Sequence, residues 1–444
     1  MMIEKVTAAN IEGIANPAFR NYARRYVDIE EGFREAVAAF GVPFAEPSGE
    51  KGREAVVGEL ASLGVRVLND GKSLVSGWQS PACGACRLGL RTETFVMTLA
   101  CPRRCFFCFN PNQADFDDRA ATPRDAVGQL EARVRAGAEL RHVALTGGEP
   151  LLFPDEAAAF FGRARELFPG VHSRLYTSGA GLDGELLARL RDAGLDEMRF
   201  SIKTDEGAAG IERILGLIGQ AVGVIPDVMV EMPVMPGELE LMKGLLVRLD
   251  AFGVRGINLL ELGFPLFNGE EFARRGFRLK AEPYRVLYDY AYAAGLPVAG
   301  SEEACLDLLA FAAKKALNLG VHYCSMENKH TGQVFQQNAP FAARYSLRAM
   351  SPRDHFLKSA RAFGADRAAV RAVLLREVAP FEDNDDLDST EFPLDAVTLL
   401  RDGLPDVELA VSYAICEPRD GEVVLRELRL DRITPATFDF ERDW

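Results

Sequence analysis

Residues 94–108 read TFVMTLACPRRCFFC, a β-branched and apolar run that passes straight into three closely spaced cysteines. The run predicts a buried strand, and Pro102 ends it, so Cys101, Cys105 and Cys108 fall on a loop at a strand's carboxyl end. Three thiolates on one short loop can hold three corners of an iron-sulfur cubane and leave the fourth iron open, whereas an ordinary four-iron electron carrier uses four cysteines. A zinc site or incidental cysteines are the competing readings of the same triplet.

Downstream of this loop the chain keeps a regular rhythm. Further strand-like runs are HVALTG (142–147), SRLYTS (173–178), EMRFSIK (197–203), DVMVEMPV (227–234) and GINLLELG (256–263), and helix-length amphipathic stretches lie between them. Six strands alternating with five helices predict an α/β fold with a parallel sheet and right-handed crossovers. Pattern alone leaves open a partial (βα)6 barrel or a doubly wound sheet. In both, ligands gather at the carboxyl ends of the strands.

The second strand runs into Thr146-Gly147-Gly148-Glu149-Pro150, about 40 residues after the cysteine loop and separated from it by one helix. The CxxxCxxC spacing, with the aromatic Phe107 before the last cysteine, followed by GGEP in this order, resembles the radical S-adenosylmethionine (SAM) superfamily. The resemblance implies a partial parallel (βα)6 barrel over residues 93–266, a 4Fe-4S cluster on Cys101, Cys105 and Cys108, and SAM bound through the open iron. One electron then cleaves SAM, and the 5′-deoxyadenosyl radical abstracts a hydrogen atom from a substrate. It assigns SAM-binding roles to Phe107, Gly147, Gly148, Glu149, Pro150 and Ser178, with Thr177 and Gly179 beside it, and to Ser201, Lys203 and Glu231 on later strands. In that reading the two glycines let backbone approach the methionine moiety, and Glu149 accepts its ammonium. Ordinary polarity at a barrel rim is the competing account of Ser201, Lys203 and Glu231. A reducing donor such as flavodoxin or ferredoxin is implied as partner.

Cys83-Gly84-Ala85-Cys86 stands fifteen residues before Cys101. A CxxC can be a redox pair, half a zinc site or half an iron-sulfur site. Beside a radical cluster it reads as an auxiliary site, most simply a second 4Fe-4S cluster, and it needs further ligands. Cys324, in the polar segment VHYCSMENK, is the expected distal ligand, with Cys416 or His322 able to complete the set. Cys305 lies at helical spacing among Leu and Ala and reads as a core thiol. The stretch around both cysteine groups, INLLELGFP with Glu261, and VHYCSMENK together resemble a group related to the pyruvate formate-lyase activating enzyme. The N-terminal extension, the upstream CxxC and the long C-terminal half depart from those activases.

Bulk properties bound the rest. The chain has 444 residues, 51 basic against 65 acidic side chains, and no basic stripe, so nucleic-acid binding is not expected and the substrate is a small molecule or a peptide. No signal-like or spanning apolar segment is present in the sequence, which predicts a cytoplasmic protein. Eight cysteines, five of them crowded between 83 and 108, suit metal ligation better than disulfides. With five histidines in all, metal chemistry should be thiolate chemistry. His142, His172 and His355 read as structural, and the acidic run Asp383–Asp388 as a solvated loop. Residues 1–92 are expected to form a lead-in region ending in CxxC, and 267–444 a helical extension with a terminal hairpin turning at Arg419-Asp420-Gly421. A non-catalytic iron-sulfur or zinc protein for electron transfer or sensing is the alternative function.

Overall fold

The computed structural model describes residues 3–46, 51–288 and 295–444. The chain divides into two units, one built from the described residues of 40–283 and 292–329, the other from those of 1–39, 284–291 and 330–444.

In the first unit the six expected strands are present as Thr92–Thr98, His142–Gly147, His172–Thr177, Glu197–Phe200, Asp227–Val234 and Gly256–Glu261, all parallel and adjacent in chain order. A seventh parallel strand, Gly320–Cys324, lies beside Gly256–Glu261, and a hairpin of Arg66–Leu68 and Ser73–Ser76 continues the sheet antiparallel beyond it. The sheet therefore reaches past the boundaries expected at residues 92 and 266. The seventh strand escapes pattern reading because GVHYC alternates His and Cys with Val and Tyr, a polarity that resembles a loop.

Alternation decides between barrel-like and doubly wound layouts. Phe95, Met97, Val143, Leu145, Leu175, Met198, Phe200, Val230, Ile257, Leu259, Val321 and Tyr323 all point to one face, where they share a single core with the crossover helices. Helices Pro154–Leu167, Gly184–Asp192, Gly207–Ala221, Leu239–Ala251 and Ser301–Lys315 each contribute to it. Helices on one face only is the arrangement of a partial barrel, whose other face is left for polar groups. Those positions hold Arg174, Tyr176, Arg199, Glu231, Asn258 and His322.

The second unit differs from the helical extension expected. Its centre is an antiparallel sheet ordered Glu4–Lys5, Glu422–Ile433, Leu409–Arg419, Leu357–Phe363, Ser389–Phe392, Glu382–Asn384, with Ala349–Met350 also on Leu357–Phe363. Helices Pro17–Ala38 and Asp366–Arg376 belong to the same unit. The strands were hidden because charged side chains occupy buried positions: Lys358, Arg361, Arg429 and Asp431 are all buried, paired as Lys358–Asp354, Arg361–Glu391 and Arg429–Asp431. The terminal hairpin is as expected, with Asp420 (φ 51°) and Gly421 (φ 85°) at its turn. Of the helix expected around 282–295, residues 289–294 lie outside the described residues and 281–288 form loop and bends. The acidic run is held by Arg367, which pairs with Asp383, Asp385 and Asp388.

Candidate metal centre

Cys101, Cys105 and Cys108 follow the first parallel strand, Cys101 exposed and the other two half-buried, none in a disulfide. Their loop is laced to the end of the second strand. The Gly148 N–H donates to Thr98 O (2.7 Å), the Glu149 N–H to Ala100 O (2.8 Å), and Asn110 Nδ2 to Gly147 O (2.9 Å). A Cβ on Gly147 would overlap Thr98 O, and one on Gly148 would overlap Ala100 O. The glycines thus admit the cysteine loop's own backbone, where the sequence had suggested the methionine moiety.

Glu149 is also turned differently from expectation. Its carboxylate is fully buried and accepts from the Leu151 N–H (3.0 Å), the Thr177 hydroxyl (2.8 Å), the Ser178 N–H (2.6 Å) and the Ser178 hydroxyl. Four donors fill the lone-pair sites of a carboxylate, leaving none for an ammonium. The side chain instead ties the second strand's end to the third's, and Pro150 opens the short 3-10 turn that follows.

The fourth strand's end is drawn in by Arg103, which sequence reasoning passed over as one arginine in a loop. This guanidinium, between Cys101 and Cys105, donates to Ser201 O (3.2 Å) and Ser178 O (3.3 Å) and pairs with Glu206 (3.2 Å). Lys203 Nζ lies 4.7 Å from the centre of the Phe107 ring. Burial pushes the Cys108 thiol pKa up and the Lys203 charge opposes it. Phe107, Ser178, Ser201 and Lys203 therefore surround the cysteine loop; Glu231 does not join them.

Glu231 belongs to a second cluster on the polar face of the sheet. Its Oε2 accepts from Arg199 Nη1 (2.6 Å) and Asn258 Nδ2 (2.6 Å). Arg199 is spent on several partners, donating also to Glu197 (2.5 Å), to Tyr176 OH (3.3 Å), to Ser80 Oγ (3.0 Å) and to Cys83 Sγ (3.4 Å). Asn258 Nδ2 reaches the same sulfur at 3.3 Å. Cys83 is placed by the short helix Pro81–Cys86, whose cap Ser80 in turn donates to Glu197 (2.5 Å).

Cys324 ends the seventh strand two residues after His322, hence on the same face, and His322 is paired in register with Asn258. Asn328 Nδ2 donates to Cys324 Sγ at 3.4 Å. Desolvation pushes this thiol up to about 12, Lys329 and Asn328 oppose the shift, and the negative charges that Cys86 and Cys83 can carry add to it. The strand thus brings Cys324 into the electrostatic reach of the CxxC. His322 is engaged through both ring nitrogens, with Ser73 Oγ at 2.8 Å and Asn258 Oδ1 at 3.0 Å, and burial lowers its pKa to about 4. Cys416 is packed against Leu357 and Ala414 in the antiparallel unit, and Cys305 is buried in the helix-facing core. Glu261 accepts the Met326 N–H (2.5 Å), and burial raises its pKa against the pull of Lys280. Among the described residues no three or more His, Cys, Asp or Glu side chains converge closely enough for a single metal ion.

A one-faced parallel sheet, three free thiols on the loop after its first strand and a glycine pair clasping that loop define an α/β scaffold with a thiol site at the carboxyl ends of its strands. Residues 95–242 match the family profile described as the radical SAM superfamily. The PqqA peptide cyclase of Methylorubrum populi is 38% identical over 131 residues, 29% of this chain and 32% of the cyclase. MJ0021 of Methanocaldococcus jannaschii, named for a suggested role as a glycyl-radical enzyme activating enzyme, is 27% identical over 236 residues, 51% of this chain and 59% of that one. The chain thus spans about a third of the length of the cyclase and under two thirds of MJ0021. Among solved structures, Streptococcus suis SuiB aligns at 10% identity with a TM-score of 0.38, covering 71% of this chain and 63% of that one. No helix among the described residues is long and apolar enough to cross a membrane.

Proposed function

We propose that the protein reductively cleaves SAM and acts on a polypeptide substrate, the class for which both the cyclase and MJ0021 are named. The observation that carries this reading is the lacing of the cysteine loop onto Gly147–Glu149, which presents three thiols beside the ends of strands two to four. The donor set fits a 4Fe-4S cluster: three free cysteines on one loop, with Lys203 near Cys108 to balance thiolate charge. When bound there, the cluster supplies the electron that breaks SAM's carbon-sulfur bond, releasing a radical able to abstract hydrogen.

The chain's own residues hold and orient. Phe107 supplies an apolar ring beside the loop, and Ser201 and Lys203 offer donors to the carboxylate and hydroxyls of SAM, with Lys203 the cation of the pair, while Ser178, whose N–H and hydroxyl are both spent on Glu149, positions the third strand's end. Backbone around Gly147 and Gly148 shapes the pocket, while Glu149 and Arg103 keep the strand ends in place. We assign Cys83, Cys86 and Cys324 to an auxiliary iron-sulfur or zinc site, whose ligands would have to draw together on binding the metal. A flavodoxin or ferredoxin in the cytoplasm serves as the donor.

The test is SAM turnover. Anaerobically reconstituted protein with dithionite should release 5′-deoxyadenosine, and the variant Cys101→Ala, Cys105→Ala, Cys108→Ala should release none. Iron-loaded wild-type protein that leaves SAM intact would favour the electron-transfer or sensing alternative.

A further inference from the structure

The amino ends of the parallel strands carry a set of polar groups for which SAM cleavage at the carboxyl ends has no use. Thr92, His142 and His172 begin the first three strands in direct register, and Arg174 follows His172 by two residues, on the same polar face. The imidazole rings of His142 and His172 lie 5.7 Å apart, centre to centre. The six-residue strand His142–Gly147 puts about 17 Å between this end and the glycine clasp of the cysteine loop.

These groups are buried without partners. Thr92 Oγ1, His142 Nδ1, both ring nitrogens of His172 and Arg174 Nη1 are shut off from solvent and meet no hydrogen-bond partner among the described residues. Buried polar atoms rarely stay in that state, because each forfeits the bonds that water would give it. Arg174 is 3% exposed and forms no ion pair among the described residues; its Nε donates to Tyr176 OH (3.2 Å). A buried cation ordinarily has a carboxylate beside it.

The nearby carboxylates are engaged elsewhere. Glu197 is bound by Arg199 and Ser80, each at 2.5 Å, and its Oε2 stays 3.7 Å from His172 Nε2, beyond hydrogen-bond reach. Glu231 lies against Arg199 and within the field of Lys329, and Asp227 faces Arg255 at 3.5 Å. Asp196 accepts from the Ser173 N–H and hydroxyl at 2.8 and 3.0 Å. Arg174 is the cation they leave unmet. Its charge is felt at His142, whose pKa is lowered by burial, by His172 and by Arg174 against the pull of Glu197.

A single oxyanion satisfies the whole set. Arg174 Nη1, the Thr92 hydroxyl and one N–H of each imidazole can donate to it, and its charge meets that of Arg174. One nitrogen of a neutral His172 remains an acceptor, which monohydrogen phosphate fills with its own O–H and a carboxylate cannot. The His172 side chain is 18% exposed, which gives a small ion a way in.

We propose that Thr92, His142, His172 and Arg174 form a binding site for a small oxyanion of the phosphate class at the amino end of the partial barrel.

Full-length protein carrying ¹³Cε1-labelled histidine gives five ring signals in NMR, one per histidine, of which His142→Gln and His172→Gln identify two. Titration with inorganic phosphate at constant pH and ionic strength should move those two saturably and leave His322, His330 and His355 in place. Methyl phosphate, titrated in parallel, binds more tightly if the natural ligand is a monoester and more weakly if it is the free ion. Arg174→Gln should weaken binding by about tenfold or more, the worth of a hydrogen bond to a charged group. Signals that phosphate leaves unmoved, an equal response to chloride, or wild-type affinity in Arg174→Gln would overturn the site. Acetate binding more tightly than phosphate would overturn its class. Should Arg174→Gln fail to fold, Thr92→Val combined with His142→Gln removes two donors and should show the same weakening at the His172 signal. None of these readouts requires iron or SAM, so failure of SAM cleavage leaves the test intact.

Discussion

Gly148 stands where the carbonyl of Ala100 leaves no room for a side chain. Its conformation suits any residue, so the demand is purely for space, and Gly148→Ala must push the cysteine loop off the second strand. We expect a loss of about 1–3 kcal/mol, the usual cost of overpacking, read by urea denaturation, together with lower iron occupancy on the radical loop. Unchanged stability and iron content would mean that the loop moves aside freely. The same neighbourhood marks the limit of reading single residues. Cys101, Cys105 and Cys108 stood out by their spacing, and the GGEP run by its resemblance, in this order after them, to the radical SAM pattern. The direction in which Glu149 points could not, since a carboxylate at a strand end is equally suited to a ligand or to the next strand's N–H groups. Arg103 carried no signal at all: its value lies in two carbonyls, of Ser178 and Ser201, that only folding brings near.

At the level of elements, the parallel strands were legible where one face alone is apolar and the run is rich in Val, Ile, Leu and Met, as in DVMVEMPV. Strands that bury charge were not: LKSARAF and LRELRLDRI place Lys358, Arg361, Arg429 and Asp431 where a core normally reads as apolar. Hairpin geometry is the exception, because turn chemistry is local. Asp420 and Gly421 both take positive φ, the two-residue turn that matches the twist of the paired strands. Gly421→Ala forces a β-carbon into the left-handed region and should cost about 1–2 kcal/mol, lowering the urea midpoint of the antiparallel unit while leaving iron content unchanged. A midpoint equal to that of the wild type would show that the turn relaxes without loss.

For the molecule as a whole, acid sensitivity follows from His330, buried in the antiparallel unit, where loss of water lowers its pKa to about 4 and Asp354 only partly opposes the shift. An unfolded histidine titrates near 6.5. The folded pKa is depressed, so between about pH 6.5 and 4 the unfolded chain binds the extra proton. The contribution is complete above 6.5 and is lost as pH falls, by up to about 1.4 kcal/mol per pH unit. Urea midpoints at pH 7 and pH 5 should show this slope and His330→Phe should reduce it, the remainder coming from His322, whose pKa burial lowers to the same value; an equal slope in the variant would place the acid sensitivity elsewhere. The pairing of Glu4 with Arg432 has a different consequence, one of timing. The two partners are 428 residues apart, and at about 5–20 residues per second the ribosome needs roughly 20 to 90 s to join them. Throughout that interval the first strand is an unpaired edge waiting for the last. The intervening parallel sheet, complete once Cys324 has emerged, can close first, so the biosynthetic order runs from the middle of the chain outward to its ends.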